Sequence, residues 1–282
     1  MVKGVLTLVP SGGLANRMRA VASAYSLCLA VGSRLRVVWF RDWALNAAFS
    51  DIFEPPGCPG VELREATWAD LLVNDRPRRR NLWLPALPQR LLYSRRIGER
   101  EVTPLKLRGF DFEAWARGRR CWMSCYQEFG SCPDEVYRRL FRPVDDVMRR
   151  VSANVERFGG RTIGMHIRRT DHGEATALSP TRLFIEAGRR EAEAHQDLTI
   201  FLATDDEGVK RELRDAFGGR VVTAAGPASR GSADGIRGGL ADMYTLARTA
   251  RIYASAGSSF SPMAARIGGV PLTELRTDGD GK

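Results

Sequence analysis

Polar side chains cluster in the segment Met165–Asp171, whose sequence is Met-His-Ile-Arg-Arg-Thr-Asp. The apolar residues before it predict a strand, and strand alternation places His166 and Arg168 on one face, with Arg169 opposite. An arginine at a strand end can clamp a diphosphate through two parallel hydrogen bonds. Asp171 can hold such an arginine in place or accept a hydrogen bond from a hydroxyl. The alternative is a structural arginine–aspartate pair beside a hydrogen-bonded histidine.

A glycine turn, Ser11–Arg17, joins the first predicted strand to the first predicted helix. Gly12 and Gly13 allow a ligand to approach the backbone closely, and a helix N-terminus favours an anion. The complete dinucleotide-binding fingerprint and the P-loop lysine are absent. The simpler interpretation is a glycine turn that is followed by Asn16 and Arg17 on the helix surface.

Carboxylates and hydroxyls follow two later strands. Asp205 and Asp206 end the run Phe201–Asp206 and can orient a sugar hydroxyl or a basic partner. Either aspartate can instead cap the next helix. Ser258 and Ser259 precede a predicted helix, where hydroxyls and backbone amides suit a phosphate. Simple helix capping also explains these serines.

Asp242 lies within a predicted helix of the same half of the chain. A carboxylate can accept two hydrogen bonds from the edge of a guanine base. The alternative is an exposed helix position that binds nothing.

The elements that would position these residues alternate between strand and helix. Strands are predicted at 5–9, 36–40, 121–126, 161–167, 198–203, 221–224, 252–256 and 270–275, and helices at 14–31, 180–195, 207–217, 237–249 and 259–267. This alternation predicts doubly wound parallel sheets, in which ligands bind beyond the carboxyl ends of the strands. The residues from about 55 to 120 favour loops with short helices, and 133–158 favours one long helix that connects two domains.

Length and composition predict two globular domains without a membrane span. For 282 residues we expect one domain over 1–150 and another over 151–282. A hydrophobic content of 44% suffices for a core, and the sequence has no apolar run of the roughly 18 residues that a transmembrane helix needs. The net charge of +10 favours acidic partners: nucleic acid, an anionic membrane face or phosphorylated small molecules.

The cysteines indicate a reducing compartment. There are five, an odd number, and no export signal precedes them. Their spacing and the three scattered histidines do not predict a zinc site. We therefore expect a cytoplasmic protein that uses no metal, with peripheral contact to a membrane still compatible with the charge.

The string from His166 to Asp171 resembles the HxRRxD motif shared by α1,6-fucosyltransferases, α1,2-fucosyltransferases and protein O-fucosyltransferases. It is most similar to the α1,6 branch, which includes the bacterial nodulation fucosyltransferases. The segments Leu202–Asp206 and Ser258–Phe260, Asp242 and the glycine turn resemble further parts of these enzymes in the same order. The resemblance touches both halves of the chain and is motif-dense from about residue 160 to 265.

The resemblance implies a GT-B fold, in which two Rossmann-like domains face a cleft. It also implies an inverting enzyme that uses GDP-β-L-fucose and needs no metal. Arg168 would then bind the diphosphate, and His166 and Asp242 would read the guanine base. The other residues assigned to the donor by similarity are Gly12, Gly13, Arg169, Asp205, Ser258 and Ser259. Asn16, which would approach the sugar from the first domain, is counted with Arg168, Asp171, Glu174 and Asp206 among the catalytic residues.

The acceptor, a glycan or another glycosylated molecule, needs a base or a well-placed hydrogen-bond acceptor for its hydroxyl. The candidates are Glu174 and Asp206, with Asp171 behind them. The α1,6 branch carries a lysine directly after the motif aspartate, whereas this chain has His172 there. Glu174 also lies closer to the motif than the glutamate of that branch.

Three rival interpretations follow from the same residues. A GT-B glycosyltransferase with another nucleotide-sugar donor would need the same residues to bind its diphosphate. A basic nucleic-acid-binding protein would explain the charge, but the arginines are dispersed and no known nucleic-acid-binding motif occurs. A non-catalytic nucleotide-binding member of the family is the third.

Overall fold

The computed structural model describes residues 4–74, 86–169, 177–224 and 231–277. The chain divides into two compact units. The first unit comprises Met1–Val144 with Arg230–Ala233, and the second comprises Asp145–Ser229 with Asp234–Lys282. Each unit is an α/β body built on one five-stranded, fully parallel sheet.

The first unit begins with strand, helix and strand, as the sequence predicts. Its strands are β1 (Val5–Pro10), β2 (Arg34–Trp39), β3 (Val61–Glu65), β4 (Arg95–Ile97) and β5 (Arg120–Cys125), in the spatial order β3-β2-β1-β5-β4. Its helices are α1 (Leu14–Val31), α2 (Asp70–Val73), α3 (Ala86–Leu92), α4 (Val102–Leu107), α5 (Phe112–Ala116) and α6 (Asp134–Leu140). Of the three inner strands, β1 and β5 are almost fully buried, because helices or loops cover both faces of a parallel sheet.

The segment from 55 to 120 was predicted to be mostly loop with short helices, and this is wrong for two strands. Val61–Glu65 and Arg95–Ile97 lie at the two edges of the first sheet. Neither shows the continuous apolar run of a central strand, because an edge strand of a sheet is only partly buried. The periodicity of the sequence therefore gives little signal for them.

The second unit follows the predicted alternation of strands and helices. Its strands are β6 (Arg161–Ile167), β7 (Leu198–Thr204), β8 (Val221–Thr223), β9 (Ile252–Ser255) and β10 (Leu272–Leu275), in the order β10-β9-β6-β7-β8. Its helices are α7 (Asp145–Val155), α8 (Thr181–Ala194), α9 (Glu207–Phe217), α10 (Ala233–Leu246) and α11 (Phe260–Gly268).

The predicted single helix over 133–158 is instead two helices, α6 and α7. The break falls at Phe141–Val144, which includes Pro143. Proline has no backbone N–H and excludes the helical conformation from the residue before it. The backbone of Pro143 forms a bridge with Phe53 of the first unit, which holds this break against that unit.

The core of the second unit fixes which way the strand β6 presents its side chains. Ile163, Met165 and Ile167 are fully buried in one cluster with Phe184 of α8 and Leu213 of α9. Because side chains alternate along a strand, the residue between Met165 and Ile167 faces the opposite side of the sheet. That residue is His166.

Each sheet has a point at which the direction of winding reverses, and this predicts where each can bind a ligand. In the first sheet, the chain winds outward from β1 through β2 to β3, then crosses to the edge strand β4 and returns to β5 beside β1. In the second, it winds outward from β6 through β7 to β8, then crosses to β9 beside β6 and continues outward to β10. Ligands of open parallel sheets bind at such switch points, beyond the carboxyl ends of the strands. The loops that follow β1, β5, β6 and β9 are therefore the candidate ligand loops.

No helix in the described ranges is long and apolar enough to cross a membrane.

Candidate functional site

The loop after β6 is fixed by its second arginine. The Arg169 guanidinium donates to the carbonyl of Arg168 at 2.9 Å, to the carbonyl of Ser179 at 3.0 Å and to the hydroxyl of Thr181 at 3.2 Å. Burial lowers the pKa of Arg169, and the charges of nearby aspartates oppose this shift. Arg169 therefore holds the backbone that carries Arg168.

Ser179, which the sequence did not single out, connects three strand ends. Its hydroxyl donates to the carbonyl of Leu275 at 2.5 Å and accepts from the amide of Ala256 at 2.9 Å. Its carbonyl accepts from Arg169. The ends of β6, β9 and β10 are thus held together by one fully buried serine.

Arg168 follows the end of β6, directly at the switch point of the second sheet. Its amide donates to the hydroxyl of Ser255, the last residue of β9, at 3.2 Å. Ser255 is fully buried, whereas Arg168 is only partly so. A guanidinium at this point is placed to meet an anion at the carboxyl edge of the sheet.

His166 is a buried, neutral histidine. Its Nδ1 lies 2.6 Å from the hydroxyl of Ser261, and its ring stacks on Phe260 with centroids 4.7 Å apart. Burial, followed by the charge of Arg168, lowers its pKa to about 4. Ser261 and Phe260 belong to α11, so His166 ties the start of that helix to the sheet.

The two carboxylates after β7 have different partners. Asp205 accepts from the amide of Arg169 at 2.9 Å, which ties the end of β7 to the loop after β6. Asp206 is the N-cap of α9 and accepts from the amide of Val209 at 2.9 Å. The capping that the sequence allowed for is therefore present at Asp206.

Asp242 is a buried carboxylate with an unused hydrogen-bond acceptor. It lies on α10 and is 9% exposed. In the described part of the chain, no group donates a hydrogen bond to its Oδ1. Burial raises its pKa to about 7, and the charge of Lys210 opposes this shift. The exposed helix position considered from the sequence is not what the structure shows.

The loop after β9 supplies the two predicted serines. Ser258 is buried, and its hydroxyl accepts from the amide of Phe260 at 3.3 Å. Ser259 is the N-cap residue of α11, but its side chain makes no capping hydrogen bond. Gly257 before them has a φ of +72°, a conformation that favours glycine. Hydroxyls and amides at this helix start suit an anion.

The glycine turn of the first unit follows β1. Gly12 has a φ of +79°, and an added Cβ would lie 3.0 Å from Asn16 Nδ2. Gly13 is the N-cap of α1 and has no side chain to occupy the space above it. Asn16 accepts from Arg19 at 2.6 Å. Ser11 is fully buried and donates to Glu99 at 2.7 Å, which adds a carboxylate that the sequence did not single out.

Arg17 is not on the helix surface, as the simpler interpretation of the turn required. Its side chain is fully buried and forms an ion pair with Asp42 at 3.0 Å. It also donates to the carbonyls of Gly12, at 2.9 Å, and Phe40, and lies 5.0 Å from the ring centroid of Trp39. Burial lowers its pKa to about 10. The buried Arg17 side chain therefore fixes the backbone of the glycine turn.

Removing Asp42 alone should destabilise the protein more than removing both members of its ion pair with Arg17. Asp42→Ala leaves the buried Arg17 charge without its counter-ion, and we expect a loss of about 3–5 kcal/mol in the free energy of unfolding. Arg17→Met combined with Asp42→Ala should recover part of this loss. Urea unfolding of the variants measures both values. Glu62→Ala breaks the exposed Arg36–Glu62 pair and should cost under about 1 kcal/mol. If Asp42→Ala also lowers the free energy of unfolding by less than about 1 kcal/mol, the buried ion pair does not contribute as proposed.

The structure brings several of the predicted residues together. His166, Arg168, Arg169, Asp205 and Asp206 lie at the carboxyl edge of β6 and β7. Ser258 and Ser259 lie at the end of the neighbouring β9. Gly12, Gly13 and Asn16 form a separate cluster in the other unit. Asp171 and Glu174 lie outside the described residues.

The described ranges contain no group of three or more histidine, cysteine, aspartate or glutamate side chains arranged to hold a metal ion. Among the described residues, the charged groups that directly follow β6 and β7 are Arg168, Arg169, Asp205 and Asp206. Chemically, this arrangement can bind an anion at the strand edge and offer a buried carboxylate to hydrogen-bond donors.

Comparison with models of protein families found no match, and comparison with curated proteins likewise found none. Solved structures do share the fold. The structure of fucosyltransferase NodZ from Bradyrhizobium aligns with a TM-score of 0.68 over 99% of this chain and 98% of that one, at 21% identity. NodZ has also been solved after soaking with GDP-fucose and together with GDP.

Two further solved structures share the fold. Arabidopsis thaliana FUT1 in complex with GDP aligns with a TM-score of 0.65 over 98% of this chain and 71% of that one, at 15% identity. POFUT1 in complex with GDP-fucose aligns with a TM-score of 0.60 over 96% of this chain and 97% of that one, at 10% identity. The GT-B type of fold, with two Rossmann-like parallel sheets, is therefore confirmed, and it is the fold that the resemblance implied.

Proposed function

We propose that this chain is a fucosyltransferase that moves L-fucose from GDP-β-L-fucose to a hydroxyl of a glycan or another glycosylated acceptor. The observation that carries the proposal is that this fold contains two features together. One is the buried Asp242 carboxylate with a free acceptor atom, and the other is Arg168 at the switch point. The order of the sequence motifs and the GDP-fucose complexes of structures with the same fold support it.

The donor would be bound through its base and its diphosphate. Asp242, once ionised, accepts hydrogen bonds from the N1–H and the 2-amino group of guanine, a pattern that uracil does not offer. His166 is the second base-reading residue. Arg168 binds the diphosphate, with Ser258 and Ser259 adding hydroxyl and amide donors at the start of α11. Gly12, Gly13 and Asn16 are assigned to the sugar by resemblance.

Arg169 and Asp205 would shape the donor site without contacting the donor. Arg169 spends its hydrogen bonds on the carbonyls of Arg168 and Ser179 and on Thr181. Asp205 in turn holds the amide of Arg169. Because Arg168 lies between these anchors and Ser255, its backbone is held on both sides. A fixed backbone at this residue reduces the reorganisation that is needed to bring its guanidinium to a developing charge.

The reaction is a single displacement. The acceptor oxygen bonds to the anomeric carbon of fucose while the bond from that carbon to the β-phosphate oxygen breaks, so the configuration inverts and GDP leaves with its electron pair. Negative charge grows on the diphosphate, and Arg168 with the helix-end amides stabilises it. We propose that these groups replace a metal ion in this role. The acceptor proton passes to a base.

The base is proposed among the carboxylates after β6 and β7. Asp206 caps α9 through its Oδ1, and a carboxylate has a second oxygen that can accept a proton. Glu174 and Asp171 are the further candidates from the sequence. Substituting each by its amide and comparing the pH dependence of GDP release would identify the base, because only its loss removes the ascending limb.

Thermal stabilisation by nucleotides in the presence of EDTA tests the proposal. A ligand at about 100 times its dissociation constant adds about 2.7 kcal/mol, which shifts the melting temperature clearly. We expect GDP and GDP-fucose to stabilise the protein. Stabilisation by GDP-mannose or UDP-sugars instead would retain a glycosyltransferase and change the donor. A requirement for added divalent metal would refute metal independence, and no response to any nucleotide would refute the proposed function.

We also propose a cytoplasmic location. All five cysteines are buried free thiols, and burial raises the pKa of Cys28 and Cys125 to about 12 and of Cys121 to about 11. Such thiols are typical of a reducing compartment. Fractionation of the cells that produce the protein tests this, and recovery in an exported fraction would contradict it.

A further inference from the structure

Two exposed tryptophans follow neighbouring strands of the first sheet. The last residues of β2 and β3, Trp39 and Glu65, pair with each other, so the two strands end at the same level. Trp43, in the loop after β2, is 59% exposed, and Trp68, in the loop after β3, is 79% exposed. Both loops leave the carboxyl edge of the sheet, where open parallel sheets bind ligands. We call Trp43 and Trp68 the tryptophan track.

The turn that carries Trp43 is anchored in the unit. The Oδ1 atom of Asp42 accepts from the amides of Ala44 at 2.9 Å and Leu45 at 3.1 Å. The same oxygen pairs with the fully buried side chain of Arg17 at 3.0 Å. Ala44 and Leu45 are themselves buried. Trp43 is therefore an exposed ring on a turn whose backbone is fixed.

The segment that carries Trp68 is anchored in a similar way. The buried carboxylate of Asp70 accepts from the amide of Thr67 at 2.7 Å and from the guanidinium of Arg64 at 2.7 Å. Thr67 and Asp70 lie on either side of Trp68, so its backbone is held from both directions. Single exposed apolar residues are common on protein surfaces, whereas two anchored rings at adjoining strand ends form a preorganised surface.

A carboxylate and open space lie along the same edge. Glu99 follows the edge strand β4, is partly exposed, and accepts from the fully buried hydroxyl of Ser11 at 2.7 Å. Ser11 directly follows β1, which lies beside β2 in the sheet. An added Cβ at Gly13 would meet no atom of the described residues beyond its chain neighbours within 4 Å. A carboxylate has several lone pairs, so Glu99 can accept from a ligand as well as from Ser11.

We propose that the tryptophan track and Glu99 bind a sugar chain of the acceptor. One face of a pyranose ring consists of C–H groups that pack on an aromatic face, while the hydroxyls at its rim donate to a carboxylate. The tryptophans supply the first kind of contact and Glu99 supplies the second. The inference rests on the proposed function, which requires a glycosylated acceptor and assigns no residue to its sugar chain.

The charges at this edge favour a neutral ligand. A single-stranded nucleic acid also stacks on exposed aromatic rings, but it requires a positively charged groove beside them. In the described loops after β2 and β4 the charges alternate: Arg41 is followed by Asp42, and Arg100 lies between Glu99 and Glu101. Glu99 would repel a phosphate, whereas it accepts hydrogen bonds from the hydroxyls of an uncharged sugar chain.

Binding of the full-length protein to an array of immobilised glycans, with GDP present, tests the inference. We expect a group of neutral glycans to retain the unmodified protein. Trp43→Ala combined with Trp68→Ala should lower this affinity by at least about tenfold, since two stacking contacts are lost. Trp43→Phe with Trp68→Phe keeps the aromatic faces and should retain most of the affinity. Glu99→Gln should weaken binding about tenfold, because its hydrogen bonds are no longer charge-assisted.

The length of the sugar chain supplies a readout that misfolding would not produce. Trp68 follows β3, which lies one strand further from the glycine turn than β2 does. With the shortest free form of a retained glycan, Trp43→Ala should weaken binding, whereas Trp68→Ala should leave it within about twofold. As sugars are added, the affinity of the unmodified protein should rise, and Trp68→Ala should begin to lower it. Calorimetric titration measures these affinities.

Leu29→Ala with Leu107→Ala is the matched control. These leucines are 55% and 83% exposed on α1 and α4, outside the loops at the carboxyl edge, and their removal should leave glycan binding unchanged. Equal losses in this control and in Trp43→Ala with Trp68→Ala would overturn the inference. So would an identical dependence on chain length in the two single tryptophan variants, retention by oligodeoxythymidine instead of glycans, or no retention by any glycan.

Thermal stabilisation by GDP separates this inference from the proposed function. If GDP stabilises the protein and no glycan retains it, the tryptophan track does not bind sugar and the proposed donor stands. If glycans retain the protein through the tryptophan track and GDP has no effect on its melting temperature, the proposed function is refuted and a sugar-binding surface remains.

Discussion

Arg168→Ala should lower the rate of GDP release from GDP-fucose by about 10²–10³, in the presence of a glycan acceptor pool. The guanidinium lies at the carboxyl edge of the second sheet, where the leaving diphosphate is proposed to gain charge. Its loss therefore raises the barrier more than it weakens substrate binding, so kcat falls more than KM rises. Arg168→Lys keeps the charge without the bidentate geometry. Its rate of GDP release should therefore lie between that of the unmodified protein and that of Arg168→Ala.

The control for this experiment is Arg190→Ala. Arg190 is an exposed residue of α8, in the same unit, so its removal makes the same change in charge away from the strand edge. We expect its rate to stay within about twofold of the unmodified protein, as for surface substitutions in general. Arg168→Ala should also lose much of the thermal stabilisation by GDP. If Arg168→Ala and Arg190→Ala release GDP at the same rate, Arg168 does not bind the diphosphate.

Asp242→Asn should have two opposite effects, a more stable free protein and a weaker complex with GDP. The buried Asp242 carboxyl has its pKa raised to about 7 by burial. A carboxyl whose pKa is higher in the folded state than in the unfolded state destabilises the fold as it ionises. The penalty is absent below about pH 4, grows through pH 4–7 and is complete above about pH 7. The amide carries no such penalty.

The stability effect is measured by unfolding the free protein at several pH values. Above about pH 7 we expect Asp242→Asn to be more stable by about 2–4 kcal/mol, and this advantage should shrink towards zero near pH 4. Asp215→Asn is the control, since Asp215 is an exposed residue of α9. A destabilised Asp242→Asn protein at pH 8 would show that the carboxylate has a structural partner that it needs.

The binding effect is measured with GDP and with inosine diphosphate, which lacks the 2-amino group. The unmodified protein should prefer GDP, and Asp242→Asn should bind GDP about 10²-fold more weakly and lose this preference, because hydrogen bonds to a charged group contribute about 1.5–3 kcal/mol each. GDP affinity should also fall as the pH drops below about 7, where the carboxyl of the free protein becomes protonated. An undiminished preference for GDP in Asp242→Asn would assign base recognition to other residues.

The sequence by itself determined the central strands and the residues at their ends. β6 was predicted at its observed bounds, and β1 and β7 within one residue, because a strand that is buried on both faces has an apolar run that local composition shows. The residues that follow such a run must lie at the carboxyl edge of the sheet. This is why Arg168 and Asp205 could be placed at one edge from the sequence.

The edge strands and the break between α6 and α7 could not be predicted from the periodicity of the sequence alone. β3 and β4 are stabilised by pairing with β2 and β5, which lie far from them in the sequence. In the 133–158 segment, the apolar spacing favoured a continuous helix, although Pro143 prevents one.

Only the tertiary structure decided how the candidate site is held and charged. Ser261 is 95 residues from His166 and Ser179 is 96 residues from Leu275, and no local pattern reports such partners. No local pattern predicts the burial of Asp242 or of Arg17 either. A residue type shows what a side chain can do, whereas packing decides whether water or protein surrounds it. The surroundings raise the pKa of Asp242 to about 7 and lower that of His166 to about 4.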